Sequence, residues 1–257
     1  MRLLIGLFIG FLLIPIPTHG EDLTEVLLTI VKRDLAGRRV AAPPVVEGRR
    51  SPAGPQLYRR VVDSVLLIYT KDGTMGSGVV VSPEGHVLTN WHVVGKNDVV
   101  YAIRRSQELM KGITQIKKEH VLTAKVVTTD QRRDLALLHI PKSAADLRYV
   151  SLGEAGRVEV GQDVYAIGHP KQLLWTYTEG VVSQIRPDFE WKSGEGAAHQ
   201  ATVIQTQTPM HPGNSGGALF DGDGRVVGIN SAQSDPTLNL VIAVSEVRDW
   251  VQSLSKR

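Results

Sequence analysis

Aliphatic and β-branched residues in this chain come in short runs, each closed by a turn-forming cluster of Gly, Asp, Asn or Pro, and this punctuation constrains the fold more than any other feature. Such runs suit strands joined by tight turns better than helices. From Tyr58 onward they read VDSVLLIYT, SGVVVSP, HVLTN, DVVYAIR, HVLTAKVVTT and LALLHI. A polar stretch over 142–156 intervenes, and a second set follows: QDVYAIG, WTYTEGVVSQI, ATVIQTQ, GALFD, RVVGINS and LNLVIAV. Each set is large enough to close a small barrel. The expectation is therefore an all-β fold with one barrel at about 57–145 and another at about 157–245. A helix over 245–255 follows, capped by Ser245 with acidic residues after it. The DGDG at 221–224 reads as a hairpin turn, because the following RVVGIN lacks the oxygen ligands a calcium loop requires.

The start of the chain has a different character. MRLLIGLFIGFLLIPIPTHG offers one Arg, an apolar stretch, and a small-x-small site at Thr18-His19-Gly20, as a cleavable export signal over 1–20 would. Pro15 and Pro17 end the apolar run short of the ~20 residues a membrane span needs, so a membrane association is expected only if this segment is retained. Residues 21–56 form an N-terminal extension: Leu23, Val26, Leu27, Ile30 and Val31 have helical spacing over 22–36, and a Pro-, Gly- and Arg-rich linker completes it. The body of the protein is expected over 57–257. An exported chain with no cysteine must hold its fold by packing alone, which suits a bacterial envelope, periplasmic or secreted. Removing the signal takes away Arg2 and no acid, moving the net charge from +3 to +2. That is too little to point to a nucleic-acid partner, and the Arg and Lys pairs are scattered along the chain.

Chemistry concentrates at Gly213-Asn214-Ser215-Gly216-Gly217. A serine flanked by glycines marks a turn that residues with a Cβ adopt poorly. In such a turn Gly213, Asn214 and Ser215 form an oxyanion loop, with the Gly213 and Ser215 amides able to hold the negative oxygen formed when Ser215 attacks a carbonyl. A serine hydroxyl needs a base to take its proton. Of the eight histidines, His92 ends a strand-like run and opens Trp91-His92-Val93-Val94-Gly95, where a short turn leaves the ring at a barrel rim. His86, His139, His169, His199 and His211 read as ordinary turn, strand or loop residues. An acid must then accept the other imidazole N–H, and Asp134, entering LALLHI from a charged turn, suits this better than the more polar Asp130.

TMGSGVVVSPEGHVLTNWHVVG, RRDLALLHI, YAIGHP, TEGVVSQI, IQTQTPMHPGNSGGALFDGDGRVVGINSA and IAVSEVRDWV together resemble the trypsin-like peptidase domain of the HtrA/Deg proteases. The resemblance runs from about Tyr58 to Trp250. It implies a chymotrypsin-like double β-barrel, a serine endopeptidase acting on polypeptides, often misfolded ones, outside the cytoplasm, and His92, Asp134 and Ser215 as catalytic triad. It also implies assembly into trimers, and no cofactor or metal. Family members usually carry PDZ domains after the protease, whereas this chain ends at Arg257. Trp91 and the IQTQT segment depart from the usual pattern and bear on how substrate lies in the cleft.

By the same resemblance, the pocket for the residue before the cut bond is lined by Pro209, Met210, Ser231, Ala232 and Gln233. No acid stands there to attract Lys or Arg, so small or medium apolar residues are the expected preference. Ser231 is also a candidate donor to Asp134. The competing functional reading is a chaperone-like or peptide-binding module that keeps the fold and cleaves little.

Overall fold

Twelve strands and three α-helices make up the residues described by the computed structural model, which are 54–106, 118–143, 145–193, 196–231 and 239–254. The export signal expected over 1–20, the helix expected over 22–36 and most of the expected linker lie outside them. The first barrel contains β1 (Val65–Tyr69), β2 (Met75–Val80), β3 (His86–Thr89), β4 (Val99–Ile103), β5 (Val121–Asp130) and β6 (Leu135–His139). The second contains β7 (Asp163–Gly168), β8 (Thr176–Ser193), β9 (Ala197–Thr206), β10 (Ala218–Phe220), β11 (Val226–Ser231) and β12 (Asn239–Ala243). Both are closed, in the orders β1-β2-β3-β6-β5-β4 and β10-β11-β12-β9-β8-β7. Substituting β7–β12 for β1–β6 turns one circular order into the other, so the same topology occurs twice.

The apolar runs are continuous because both faces of many strands are covered. In β1, Leu66 and Ile68 join a buried cluster with Val80, Val87, Val100 and Leu138 from the other strands of the first barrel. Val65, on the opposite face, belongs to a larger cluster that draws on both barrels, including Val79, Leu135, Tyr165, Phe220, Ile229 and Ile242. A third cluster, with Val164, Val182, Ile204, Leu219, Val227 and Val241, takes a member from every strand of the second barrel. The two barrels thus meet along an apolar seam. Burial at about 25 cal/mol per Å² of apolar surface makes this seam a principal source of cohesion in a chain without disulfides.

Three element boundaries differ from the expectation. Residues 54–56, assigned to the linker, open helix α1 (Gly54–Val61), and a 3-10 turn over Val62–Ser64 delays the first strand to Val65. Leu57 and Val61, four apart on one face, are fully buried in the inter-barrel cluster, which fixes the helix despite its Gly-Pro start. The hairpin of β8 and β9 is longer than the apolar runs suggested. Pro187 falls where the register shifts between Arg186 and Phe189, and pairing then resumes through Trp191 opposite His199. A proline is tolerated at such a bulge, where its missing N–H breaks no ladder bond. Between β3 and β4 lies the one-turn helix α2 (Trp91–Val94), and α3 (Val244–Leu254) closes the described chain. The last helix begins one residue before Ser245, burying Val244, Val247 and Trp250.

Candidate active site

The rim position of His92 follows from its neighbours. Val93 and Val94 are buried in the first barrel and pin α2 to it, leaving the His92 side chain 23% exposed. Gly95 ends the turn at φ 56°, donating its N–H to the Trp91 carbonyl at 2.8 Å. Asp134 sits at the start of β6 with no exposed surface and with φ 57°, a left-handed conformation that Asp tolerates better than most residues. It completes the turn that begins at Asp130. Burying a carboxylate there demands compensating donors, and they are present. Oδ1 accepts the His92 backbone N–H at 3.0 Å, Oδ2 accepts the His92 ring Nδ1–H at 2.8 Å, and Oδ2 accepts the Ser231 hydroxyl at 3.0 Å. Asn90 donates its side-chain amide to the Asp134 carbonyl at 2.9 Å. Because a carboxylate only accepts, the imidazole proton lies on Nδ1, and Nε2 keeps the lone pair a base requires. Asp130 is committed elsewhere, to the Arg133 guanidinium at 2.7 Å and the Arg133 backbone N–H at 3.0 Å.

Ser215 belongs to the second barrel but is held by the first. Its carbonyl accepts the backbone N–H of Ser77, on β2, at 2.7 Å. A Cβ added to Gly76 would lie 2.7 Å from Val93, the residue after His92, and 3.0 Å from the Ser215 carbonyl oxygen. One glycine's width therefore separates the helix of the histidine from the serine loop. Strand β11 ties the acid to the same place: Gly216 N–H donates to the Asn230 carbonyl at 2.9 Å, Asn230 N–H donates to Gly217 at 2.8 Å, and the next residue is Ser231.

The loop amides can be oriented from their carbonyls, since C=O and N–H of a trans peptide point in opposite directions. The Pro212 carbonyl accepts from Lys171 N–H at 2.9 Å and the Asn214 carbonyl from Gly217 N–H at 3.0 Å. The amides of Gly213 and Ser215 are accordingly directed away from those partners. Within the three-residue oxyanion loop, the Asn214 N–H donates to the His211 carbonyl at 2.9 Å and closes the turn. Gly213 has φ 103°, and a Cβ there would lie 2.1 Å from the His169 carbonyl oxygen, so only glycine fits.

The expected specificity residues differ in their surroundings. Met210 is buried with the second-barrel cluster, Pro209 is exposed with its carbonyl accepting from Thr178 at 3.1 Å, and the Ser231 hydroxyl is turned to Asp134. Ala232 and Gln233 lie outside the described residues. An open cavity of about 650 Å³ lies beside the Asp134 turn, walled by Gln131, Arg132, Trp191, His199 and Gln200. The edge of Trp91 meets the His199 ring at 5.9 Å, which links this cavity to the helix of His92. Two residues that bond or abut the serine loop were not singled out by the sequence: Ser77, and His169, which reads there as an ordinary loop residue. The available signal for Ser77 was a polar residue between two glycines inside an apolar strand; His169 carried none beyond its neighbouring Gly and Pro.

The fold is that of a chymotrypsin-like double-barrel protein with a His–Asp pair at the junction. A family model described as trypsin-like peptidase domain matches residues 76–229, more than half of the chain, and the chain belongs to that family. Among curated relatives, it is 40% identical over 158 residues to a probable periplasmic serine endoprotease DegP-like of Marinomonas sp. (strain MWYL1), covering 62% of this chain and 29% of that protein. It is 38% identical over 162 residues to Protease Do-like 1, chloroplastic, of Arabidopsis thaliana, covering 63% and 34%. The match thus spans about a third or less of those relatives. Similar solved structures include Deg5, with TM-score 0.63 and 28% identity over 77% of this chain and 91% of that one. The HtrA-type protease AlgW with tripeptide gives TM-score 0.65 and 28% identity over 79% and 64%.

Proposed function

We propose that this chain is a serine endopeptidase in which Ser215 is the nucleophile, His92 the general base and Asp134 the acid that orients and stabilises it. The observation that carries this reading is the Asp134 carboxylate, buried and bonded to both the backbone and the Nδ1 of His92, with the Ser215 loop locked across the barrel seam beside them. In the first step, His92 Nε2 takes the Ser215 hydroxyl proton while Oγ bonds to the carbonyl carbon of the scissile peptide. The carbonyl oxygen becomes an oxyanion held by the amides of Gly213 and Ser215. The imidazolium, its charge offset by Asp134, then gives its proton to the departing amine as the C–N bond breaks. Water attacks the acyl-enzyme as His92 removes its proton, and the imidazolium then returns that proton to Ser215 Oγ as the ester C–O bond breaks, releasing the acid and restoring the hydroxyl and the neutral ring.

The substrate class is polypeptide, as the tripeptide held by the related AlgW structure supports. An exported location, and work on proteins of the envelope, is supported by the relatives named periplasmic and by the form of residues 1–20. Casein incubated with the purified protein should yield fragments whose ends, read by mass spectrometry, lie mainly after small or medium apolar residues. Ser215→Ala should remove this cleavage by on the order of a millionfold in turnover. Cleavage that persists in Ser215→Ala would overturn the assignment, and a folded wild-type protein that holds unfolded casein without cutting it would favour the peptide-binding module instead.

A further inference from the structure

Ser77 occupies an unusual place for a hydroxyl. It is fully buried on a strand of the first barrel, yet it bonds two residues of the serine loop of the second. Its N–H holds the Ser215 carbonyl at 2.7 Å, and its Oγ lies 2.7 Å from the Gly213 carbonyl oxygen and 2.8 Å from His169 Nδ1. The Thr89 hydroxyl donates to its carbonyl at 2.7 Å and steadies it from behind.

Proton counting fixes the direction of this chain of bonds. A hydroxyl has one proton, and a carbonyl can only accept, so Ser77 gives its proton to Gly213. Ser77 Oγ then accepts from His169, whose proton must be on Nδ1. His169 Nε2, left deprotonated, is buried without a hydrogen-bond partner. Burial pushes the His169 pKa down to about 3, so the ring stays neutral and the directions of both bonds hold across the range in which a protease works. The ring is seated by the edge contact with Trp175, at 5.1 Å and 74°, and the Trp175 indole N–H is itself anchored on the Val65 carbonyl at 2.9 Å. The backbone after the ring follows the loop closely: Lys171 N–H holds the Pro212 carbonyl at 2.9 Å, and the His169 carbonyl fills the space beside Gly213 that a Cβ would need.

We infer that His169 is a positioning residue for the serine loop: through Ser77 it fixes the carbonyl of Gly213, while its own chain segment fixes the preceding peptide, so both peptide planes that set the direction of the Gly213 amide are pinned. The inference rests on the reading of Ser215 as nucleophile. It asks of His169 no contact with substrate, only that it hold one donor of the oxyanion pair in place, and displacement of a reacting geometry by about 1 Å can cost on the order of a hundredfold in rate.

The test uses the purified protein, a fluorophosphonate probe and a peptide substrate. His169→Leu removes the donor while keeping an apolar filling, and should lower both the labelling rate constant and kcat by about tenfold to a hundredfold, with KM nearly unchanged. His169→Asn should recover most of the loss, because its side-chain amide N–H can reach the position of Nδ1–H. Ser77→Ala should lose a comparable amount, and the Ser77→Ala/His169→Leu pair should be no worse than the weaker single variant, since both break one chain of bonds. Melting temperatures separate this from failure to fold. Independently of any variant, nitrogen NMR of histidine-labelled wild-type protein should show one neutral ring protonated on Nδ1 that does not titrate above pH 5. Wild-type labelling with an unaffected His169→Leu, or a His169 ring protonated on Nε2, would overturn the inference alone. A folded wild-type protein that the probe does not label would remove the protease reading and the inference together.

Discussion

Asp134 shows how much a single residue is asked to do. Its backbone is in the left-handed region, its carboxylate is fully buried, and three donors converge on it. A buried carboxylate bonded to charged or strongly polar donors is worth keeping only if all of them are present, because each lost donor leaves charge uncompensated. Asp134→Asn keeps the shape but presents an amide that can donate, which favours the wrong imidazole tautomer. Turnover should fall by about ten-thousandfold, read as kcat on a peptide substrate, with the melting temperature little changed. Ser231→Ala removes one donor and leaves the other two, so a smaller drop, on the order of tenfold in kcat with KM unchanged, is expected. An equal loss in the two variants would mean that Ser231 does more than steady the acid.

At the scale of elements, the turn that presents Asp134 is clamped from outside the first barrel. Arg133 reaches Glu246 on α3 at 2.8 Å as well as Asp130 at 2.7 Å, and the second oxygen of Glu246 accepts the Thr202 N–H of β9 at 2.8 Å. Burial alone would raise the Glu246 pKa, but the Thr202 amide and the Arg133 guanidinium outweigh it and hold the carboxyl below its ordinary value of 4.5. A carboxyl depressed in the folded state contributes stability above its unfolded pKa and loses it as pH falls through the folded value. Urea midpoints should therefore decline from about pH 5 downward in the wild-type protein, and Glu246→Gln should start lower at pH 7 and decline less steeply. Identical slopes would remove Glu246 from the acid response. The elements themselves were legible to different degrees. β1 and β6 were readable because both faces of β1 and of the first four residues of β6 are covered, which makes those runs apolar. The helix of Leu57 and Val61 was hidden by its Gly-Pro opening, and its reason for existing is a surface supplied by residues far along the chain, among them Gly224, whose added Cβ would lie 2.8 Å from Val61. The far half of the β8–β9 hairpin was concealed by the bulge at Pro187, which breaks the alternation a strand is recognised by.

For the whole molecule, the decisive feature is that neither barrel holds the proposed site by itself. His92 and Asp134 come from the first, Ser215 and Ser231 from the second, and the bonds that cross the seam include those of Ser77 to the serine loop and of Ser231 to Asp134. The triad candidates could be read from the sequence because each chemistry demands a residue type in a recognisable local setting. Ser77 and His169 could not, since what matters about them is a contact spanning 92 residues of chain and a burial that only the closed pair of barrels creates. The central claim is that this junction makes Ser215 a nucleophile by giving its proton to His92. Its most direct test is fluorophosphonate labelling of the folded protein, with the modified residue mapped by mass spectrometry in the wild type and in His92→Ala. The account predicts a single adduct on Ser215 that all but disappears in a His92→Ala variant of unchanged melting temperature. Labelling of Ser215 at the same rate without the imidazole, or none at all in the folded wild type, would contradict it.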